Sequence, residues 1–136
     1  MRYLCLLVWD EEKLASLPPA EEERLNAAHL EVNEDLIASG HFIEAEPLEP
    51  AANTTCVRVR GGRATVTDGP FAETKEQVAG FYLIEARDLN EAIQVATRLP
   101  SAAWCTVEVR PCRQLRVGGL ARPSSSKSAH NPFTPA

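Results

Sequence analysis

The chemically richest stretch of the chain runs from Thr67 to Glu76 and reads TDGPFAETKE. It combines the Asp68 carboxylate, a Gly69-Pro70 pair, the Phe71 ring and the Lys75 ammonium group. Gly-Pro is a strong turn signal, and proline biases the residue before it away from the helical region. The stretch therefore predicts a rigid turn that projects Asp68, with Phe71 anchored in the core. All five of these residues are candidates for binding a ligand.

The same stretch has a purely structural interpretation. An aspartate side chain often accepts hydrogen bonds from backbone amides two residues on, so Asp68 can serve the turn alone. Lys75 lies among charged neighbours, and such a cluster is usually a solvated face. The residue types do not separate the two interpretations, and both roles can coexist because a site needs a rigid support.

His29 is the second candidate, near the middle of a predicted helix. Imidazole titrates near pH ~6.5, so a histidine exchanges protons at neutral pH after small tuning. Paired with Asp68, His29 would be a general base oriented by a carboxylate, and the two are the candidate catalytic residues. The alternative is a helix histidine that is hydrogen-bonded to backbone or water.

Tyr82 lies in the middle of a predicted central strand and is a candidate ligand-binding residue. Together with Trp9 and Phe42 it can line an apolar pocket with a polar tip, as small-molecule sites do. The alternative is that these rings belong to the core or to a dimer interface. Periodicity does not distinguish the two.

Composition narrows the class of protein. The chain has 136 residues and a net charge of −5, which favours one soluble domain and argues against a nucleic-acid partner. Its four cysteines have no metal-ligand spacing, so we predict no metal site and no cofactor. No signal peptide and no membrane-spanning run is visible, and we expect a cytoplasmic protein without a membrane partner.

Hydrophobic periodicity predicts six strands and two helices. A helix is expected over Glu21–Ser39, stopped by Gly40, and a second one follows an Asp88 cap. Gly61-Gly62 predicts a two-residue hairpin turn. The predicted strands are Arg2–Trp9, buried on both faces, and His41–Leu48, Asn53–Arg60, Arg63–Thr67, Val78–Ala86 and Trp104–Arg110; the second helix is Leu89–Leu99.

We place the domain at residues 1–111. Residues 112–136 form a basic segment rich in Pro and Ser, and all 19 acidic residues lie at or before Glu108. From Val117 onwards large apolar residues are scarce, so burial cannot offset the entropy of ordering, and we predict a disordered tail.

The element order predicts an α+β fold: a split βαβ plan with an inserted β-hairpin. Both helices then cover one face of a mostly antiparallel sheet and leave the other face bare. Because bare apolar sheet faces usually find a partner, we expect a homodimer that pairs two sheets.

Three segments together resemble the DGPF group of the YCII-related family. They are RYLCLLVW at the start, VTDGPFAETKEQVAGFYLIEARDLNEAIQVA in the middle and VEVRP at the end. The resemblance covers residues 1–111 and implies a ferredoxin-like fold that pairs as a dimeric α/β barrel. Some members of the wider family carry a His–Asp pair in a cleft. Some members of the DGPF group look linked to extracytoplasmic-function sigma factors, which implies a regulatory or stress context.

The resemblance places His29 where the wider family has its histidine. The wider family has an acid before the proline that precedes the last strand, but this chain has Leu99-Pro100 there. Asp68 is the replacement that we predict. The departure favours a small-molecule-binding or regulatory module, and the alternative is a cofactor-independent enzyme with a His–Asp acid–base pair in a dimer cleft.

Overall fold

The computed structural model describes residues 1–122, and their helices and strands alternate along the chain. Two short 3₁₀ turns, Ala51–Asn53 and Pro100–Ala103, lie between them. In chain order the elements are β1 (Arg2–Asp10), α1 (Glu11–Ala15), α2 (Pro19–Ala38), β2 (Phe42–Pro47), β3 (Thr55–Arg60), β4 (Arg63–Asp68), β5 (Glu76–Glu85), α3 (Leu89–Arg98), β6 (Thr106–Pro111), β7 (Leu115–Val117) and β8 (Leu120–Arg122).

The main sheet has four antiparallel strands in the order β2–β5–β1–β6. The connection through α2 joins β1 to β2 with β5 between them, and the connection through α3 joins β5 to β6 with β1 between them. This order confirms the predicted α+β class and the split βαβ plan. The arrangement is consistent with a ferredoxin-like fold. Local signals begin and end the helices. Helix α2 begins at Pro19, two residues before the predicted start; Gly40 follows its end with a φ of 80°, and the Asp88 side chain caps α3, both as predicted.

The core lies between one face of this sheet and the two long helices. Alternate residues of β1 point to it, as the period of two requires. α2 contributes Val32 and Leu36, and α3 contributes small residues that let it approach closely. The fully or nearly buried members of this cluster include Tyr3, Cys5, Leu7, Trp9, Tyr82, Ile84, Ala92, Val95 and Ala96.

The other face of the sheet is bare within a single chain. The prediction that β1 is buried on both faces was wrong for the monomer, because only every second residue of β1 is buried. The cross-strand register places Leu4 beside Leu83 and Leu6 beside Phe81 on the bare side. These half-exposed side chains form an apolar stripe, which we call the open face.

The inserted hairpin pairs β3 with β4 and forms a sheet of its own. Gly61 and Gly62 have φ of 56° and 76°, as a two-residue turn needs, so this predicted turn is confirmed. One side of the hairpin presents three exposed valines to solvent, Val57, Val59 and Val66.

Two local details differ from the predictions. Helix α1 was not predicted; Asp10 caps it by accepting a hydrogen bond from the Glu12 N–H. Trp104 was placed in the last strand, but it follows the 3₁₀ turn, and β6 begins at Thr106. His41, just before β2, is hydrogen-bonded to Ser39 and Glu91, and its side chain is 21% exposed.

Strands β7 and β8 lie inside the segment that the sequence assigns to the tail. They pair as a short hairpin across Gly118 and Gly119, whose φ values of 61° and 79° fit such a turn. The rest of the predicted tail, residues 123–136, lies outside the described residues. Within residues 1–122, no helix has the length and apolar character needed to cross a membrane.

Candidate functional site

A chain of four hydrogen-bonded side chains crosses the space between the helices and the sheet. His29 Nδ1 lies 2.7 Å from the Tyr82 hydroxyl, and His29 Nε2 lies 2.6 Å from Ser101 Oγ. The Tyr82 hydroxyl donates to Asn33 Oδ1 at 2.6 Å. The His29 and Tyr82 rings are also stacked, with centroids 5.8 Å apart. The four side chains form one network, which we call the His29 network.

The direction of each hydrogen bond in the His29 network follows from proton counting. Because the single Tyr82 proton goes to Asn33, the Tyr82 oxygen accepts from His29, and Nδ1 therefore carries the imidazole proton. Nε2 is then an acceptor, and the Ser101 hydroxyl donates a hydrogen bond to it. Every side chain in the network is satisfied by this one arrangement.

Three elements position the His29 network. His29 and Asn33 are four residues apart on α2, so they lie one above the other on the same face of the helix. Tyr82 belongs to the helix-facing set of β5, opposite Cys5 of β1. Ser101 lies in the 3₁₀ turn that Pro100 begins, and its side chain is held there with only 3% of the residue exposed.

Burial sets the protonation states of the network. It lowers the pKa of His29 below its ordinary value, because the charged imidazolium loses solvation. It raises the pKa of Tyr82 to about 12, so the phenol keeps its proton at neutral pH. His29 is therefore a neutral imidazole between two hydroxyl groups.

A small groove opens beside the network. Its volume is about 210 Å³, and its floor is largely apolar. Ala28 and Pro100 are the chain neighbours of His29 and Ser101, so the groove lies close to the network, and none of the four network side chains lines it. At its rim Arg24 and Glu21 form an ion pair of 2.7 Å. The other lining residues are Leu17, Leu25 and Trp104.

The Asp68–Phe71 turn lies at the base of the hairpin. Asp68 ends β4 opposite Thr55 and is exposed, and the Gly69 N–H donates to the Thr54 carbonyl at 2.7 Å. Gly69 has a φ of 96°, a backbone conformation that residues with a side chain rarely adopt, so the turn requires glycine here. The chain bends at Gly69, as the Gly-Pro signal predicts.

Phe71 does not anchor this turn in the core, so that prediction was wrong. The ring is 87% exposed, and Arg58 of the hairpin lies over it at 5.9 Å from the guanidinium carbon to the ring centroid. The turn is held instead by polar contacts: the Gln77 side chain donates to the Ala72 and Thr74 carbonyls. Lys75 forms an ion pair of 3.4 Å with Asp10.

The structure brings together two of the residues proposed from the sequence, His29 and Tyr82. Asp68 is not among the hydrogen-bond partners of His29 in a single chain, since both ring nitrogens contact hydroxyl groups. The His29–Asp68 pair stays a prediction.

Sequence reasoning missed Ser101 and Asn33 as members of the network. Asn33 left a signal, because it is polar within the apolar stripe of α2. Ser101 has no such signal, since a serine directly after Pro100 is ordinary in a turn. Its hydroxyl meets His29 only in the folded chain.

In the part of the chain that the structure covers, no three His, Cys, Asp or Glu side chains gather to hold a metal ion. The four cysteines are free thiols in this structure, and burial raises the pKa of Cys5 and of Cys105 to about 11. These two thiols are poor nucleophiles at neutral pH.

Comparison with known proteins shows what the chain is similar to. The model of the YCII-related domain matches residues 1–116. An uncharacterized protein of Rhizobium meliloti (strain 1021) is 35% identical over 122 residues, which cover 88% of this chain and 98% of the relative. The first match reaches past residue 111 to the first residues of β7.

Proposed function

The chain belongs to the YCII-related family, and from this premise we propose that it is a small-molecule-binding module that works as a homodimer. The ligand lies in the groove lined by Ala28, Pro100 and Trp104, beside the His29 network. The observation that supports this assignment is the network itself: a fully satisfied set of polar side chains beside an apolar groove. Small-molecule sites combine these two features.

The state of His29 favours binding over catalysis. A general base needs a free lone pair within reach of the proton that it removes. The lone pair of Nε2 faces Ser101, which is almost completely buried, and Nδ1 donates to Tyr82. In this proposal the hydrogen-bonded imidazole and Ser101 hold the neighbouring lining residues Ala28 and Pro100 in place, which limits the entropy cost of binding.

The groove indicates the class of ligand. Its volume suits a molecule of about one aromatic ring, and Trp104 lines the groove as its one aromatic residue. Because Arg24 and Glu21 neutralise each other at the rim, the site favours a molecule with one neutral polar group over a strongly charged one.

Ligand-observed NMR with a panel of monocyclic aromatic alcohols, amides and acids tests this assignment. Ala28→Phe fills the groove without touching the His29 network, and Ala27→Phe places the same ring on the exposed side of the same helix. We expect compounds that bind the wild type to bind A27F equally and A28F at least tenfold more weakly. If no compound binds the wild type, or if both variants bind alike, the groove is not the site.

The homodimer is proposed from the open face. Leu4, Leu6, Phe81 and Leu83 form its central stripe, and the register places Glu44, Glu46, Glu108 and Arg110 on the strands at its two sides. An apolar centre with a charged rim is the composition of a protein interface. A second copy of the chain offers a matching stripe, and pairing two sheets in this way would form a dimeric α/β barrel.

A cofactor-independent enzyme is the second candidate. It is favoured by the lowered pKa of His29, because a neutral imidazole at pH 7 is already in the basic form. In this mechanism Asp68 would have to approach His29 after a movement or from the partner copy. Asp68→Asn would then abolish turnover of a substrate that binds normally, whereas it leaves binding and stability nearly unchanged if Asp68 only shapes the turn.

The cellular context is proposed from the resemblance to the DGPF group. We propose a cytoplasmic regulatory module that responds to its ligand beside an extracytoplasmic-function sigma factor or in stress. Transcription of the sigma factor's target genes in a strain that carries A28F in place of the wild-type protein tests the idea. Unaltered transcription in that strain, with A28F present at wild-type levels, would argue against it.

A further inference from the structure

A second and larger groove opens where the start of β1 meets the segment after β6. Its volume is about 940 Å³, which is within the usual range for small-molecule sites. Lys13, just beyond the other end of β1, contacts Trp104 of the first groove, so the two grooves lie at opposite ends of this strand. The lining residues are Met1, Arg2, Glu85, Cys112, Arg113, Gln114, Leu115 and Arg116.

We propose that this second groove binds a small phosphate-bearing molecule with at least two negative charges. Four cationic groups line it: the amino group of Met1 and the side chains of Arg2, Arg113 and Arg116. They face a single carboxylate, that of Glu85. A guanidinium group is planar and matches phosphate oxygens in pairs, which makes arginine the preferred side chain for such a ligand.

The one carboxylate in the groove is already engaged. Glu85 accepts from the Met1 amino group at 2.7 Å, and Arg2 Nε lies 4.0 Å from its second oxygen. Arg113 and Arg116 enter no ion pair among residues 1–122. Both are exposed, so their charges are available to a ligand.

The remaining sequence supplies no acidic side chain that would neutralise these arginines. Every one of the 19 acidic residues lies at or before Glu108, and residues 113–136 contain none. The protein as a whole is acidic, at −5, so a cationic groove is a local exception. A compact anion can enter it, while the surrounding negative charge disfavours a long polyanion such as DNA.

Isothermal titration calorimetry of the full chain with inorganic pyrophosphate at low salt tests the proposal. We expect saturable binding by the wild type that weakens as the salt concentration rises. The double variant R113E/R116E should bind at least about tenfold more weakly, since each arginine makes a charge-assisted hydrogen bond.

The matched control is R63E/R98E, which reverses two exposed arginines outside the groove and so changes the net charge equally. It should bind pyrophosphate almost as the wild type does. The variant R113Q/R116Q removes the two charges without reversing them and should also bind more weakly, in case R113E/R116E does not fold. Circular dichroism shows whether each variant is folded. The proposal is overturned if the wild type does not bind, or if the control and groove variants weaken binding equally. The first groove is untouched by these changes, so its function is tested separately.

Discussion

At the scale of single residues, the direction of the hydrogen bonds is what distinguishes this site. Ser101 donates a hydrogen bond to His29, His29 donates to Tyr82, and Tyr82 donates to Asn33. Protonating His29 at Nε2 would turn that nitrogen into a donor, so the Ser101 hydroxyl would have to rotate and lose its acceptor. Burial and the network therefore act in the same direction and keep the imidazole neutral.

The titration of His29 follows from that argument. Its pKa in the folded protein is lowered, whereas the unfolded chain should titrate near ~6.5. The unfolded state thus binds more protons as the pH falls below that value. The stability associated with neutral His29 is present above pH ~6.5 and is lost as the pH falls towards the folded-state pKa.

NMR of the His29 ring protons should show this lowered pKa directly. Denaturation between pH 7.5 and pH ~5.5 should show the wild type losing more stability than His29→Gln does. A His29 resonance that titrates at or above the ordinary histidine value would contradict the assignment.

Tyr82→Phe tests the centre of the network. The variant removes the hydroxyl that accepts from His29 and donates to Asn33, and it leaves both partners unpaired in a half-buried space. We expect a loss of about 1–3 kcal/mol in the free energy of unfolding, measured by urea denaturation. The control is Tyr3→Phe, because Tyr3 is equally buried but its hydroxyl makes a long contact of 3.8 Å with the Met1 sulfur. If both variants lose the same free energy of unfolding, the His29 network does not contribute to stability.

At the scale of elements, a polar clamp joins the end of α2 to the start of α3. His41 follows α2, and its Nε2 lies 3.0 Å from Oε1 of Glu91 in the first turn of α3. The same Glu91 carboxylate accepts from the Arg87 backbone N–H and lies 3.2 Å from the Arg87 guanidinium group. The hydrogen bond from the Arg87 N–H, followed by that from His41, lowers the pKa of Glu91.

Glu91→Gln should release this clamp. A carboxyl group with a lowered folded pKa stabilises the protein above its unfolded value of ~4.5, and that stability is lost as the pH falls through the folded pKa. The melting temperature of E91Q should therefore fall at pH 7 and converge with the wild type in acid. Glu23→Gln on the exposed start of α2 is the control and should leave the melting temperature unchanged at both pH values. If the melting temperature of E91Q stays below that of the wild type at low pH, the loss of stability comes from packing rather than from the charge of Glu91.

How much the sequence could predict depends on the range of each interaction. Pro19, Gly40, Asp88 and the Gly61-Gly62 pair act within a few residues, so the main element boundaries were predictable to within a few positions. The Ser101–His29 contact joins residues 72 apart, and only the packed fold brings them together. The prediction for Phe71 was wrong for a related reason: the hydrophobicity of the residue does not reveal that its loop faces solvent and that the ring contacts Arg58.

At the scale of the whole molecule, burial is one-sided. The helix face of the sheet holds the core, while the open face leaves Leu6, Phe81 and their neighbours half-exposed in a single chain. An apolar stripe of this kind favours association, since removing it from water contributes roughly 25 cal/mol per Å². The alternating pattern of β1 alone does not identify what covers the stripe, and in the proposed homodimer the stripes of two copies would cover each other.

Leu6→Glu tests the proposed pairing of two copies. We expect the wild type to migrate as a dimer in gel filtration with light scattering, and L6E as a folded monomer, because a buried carboxylate without a partner is costly at an interface. The control is Leu30→Glu, which changes a leucine that is 67% exposed on α2, away from the open face. It should remain dimeric. A monomeric wild type, or a dimer that L6E leaves intact, would show that the open face is not where two copies meet.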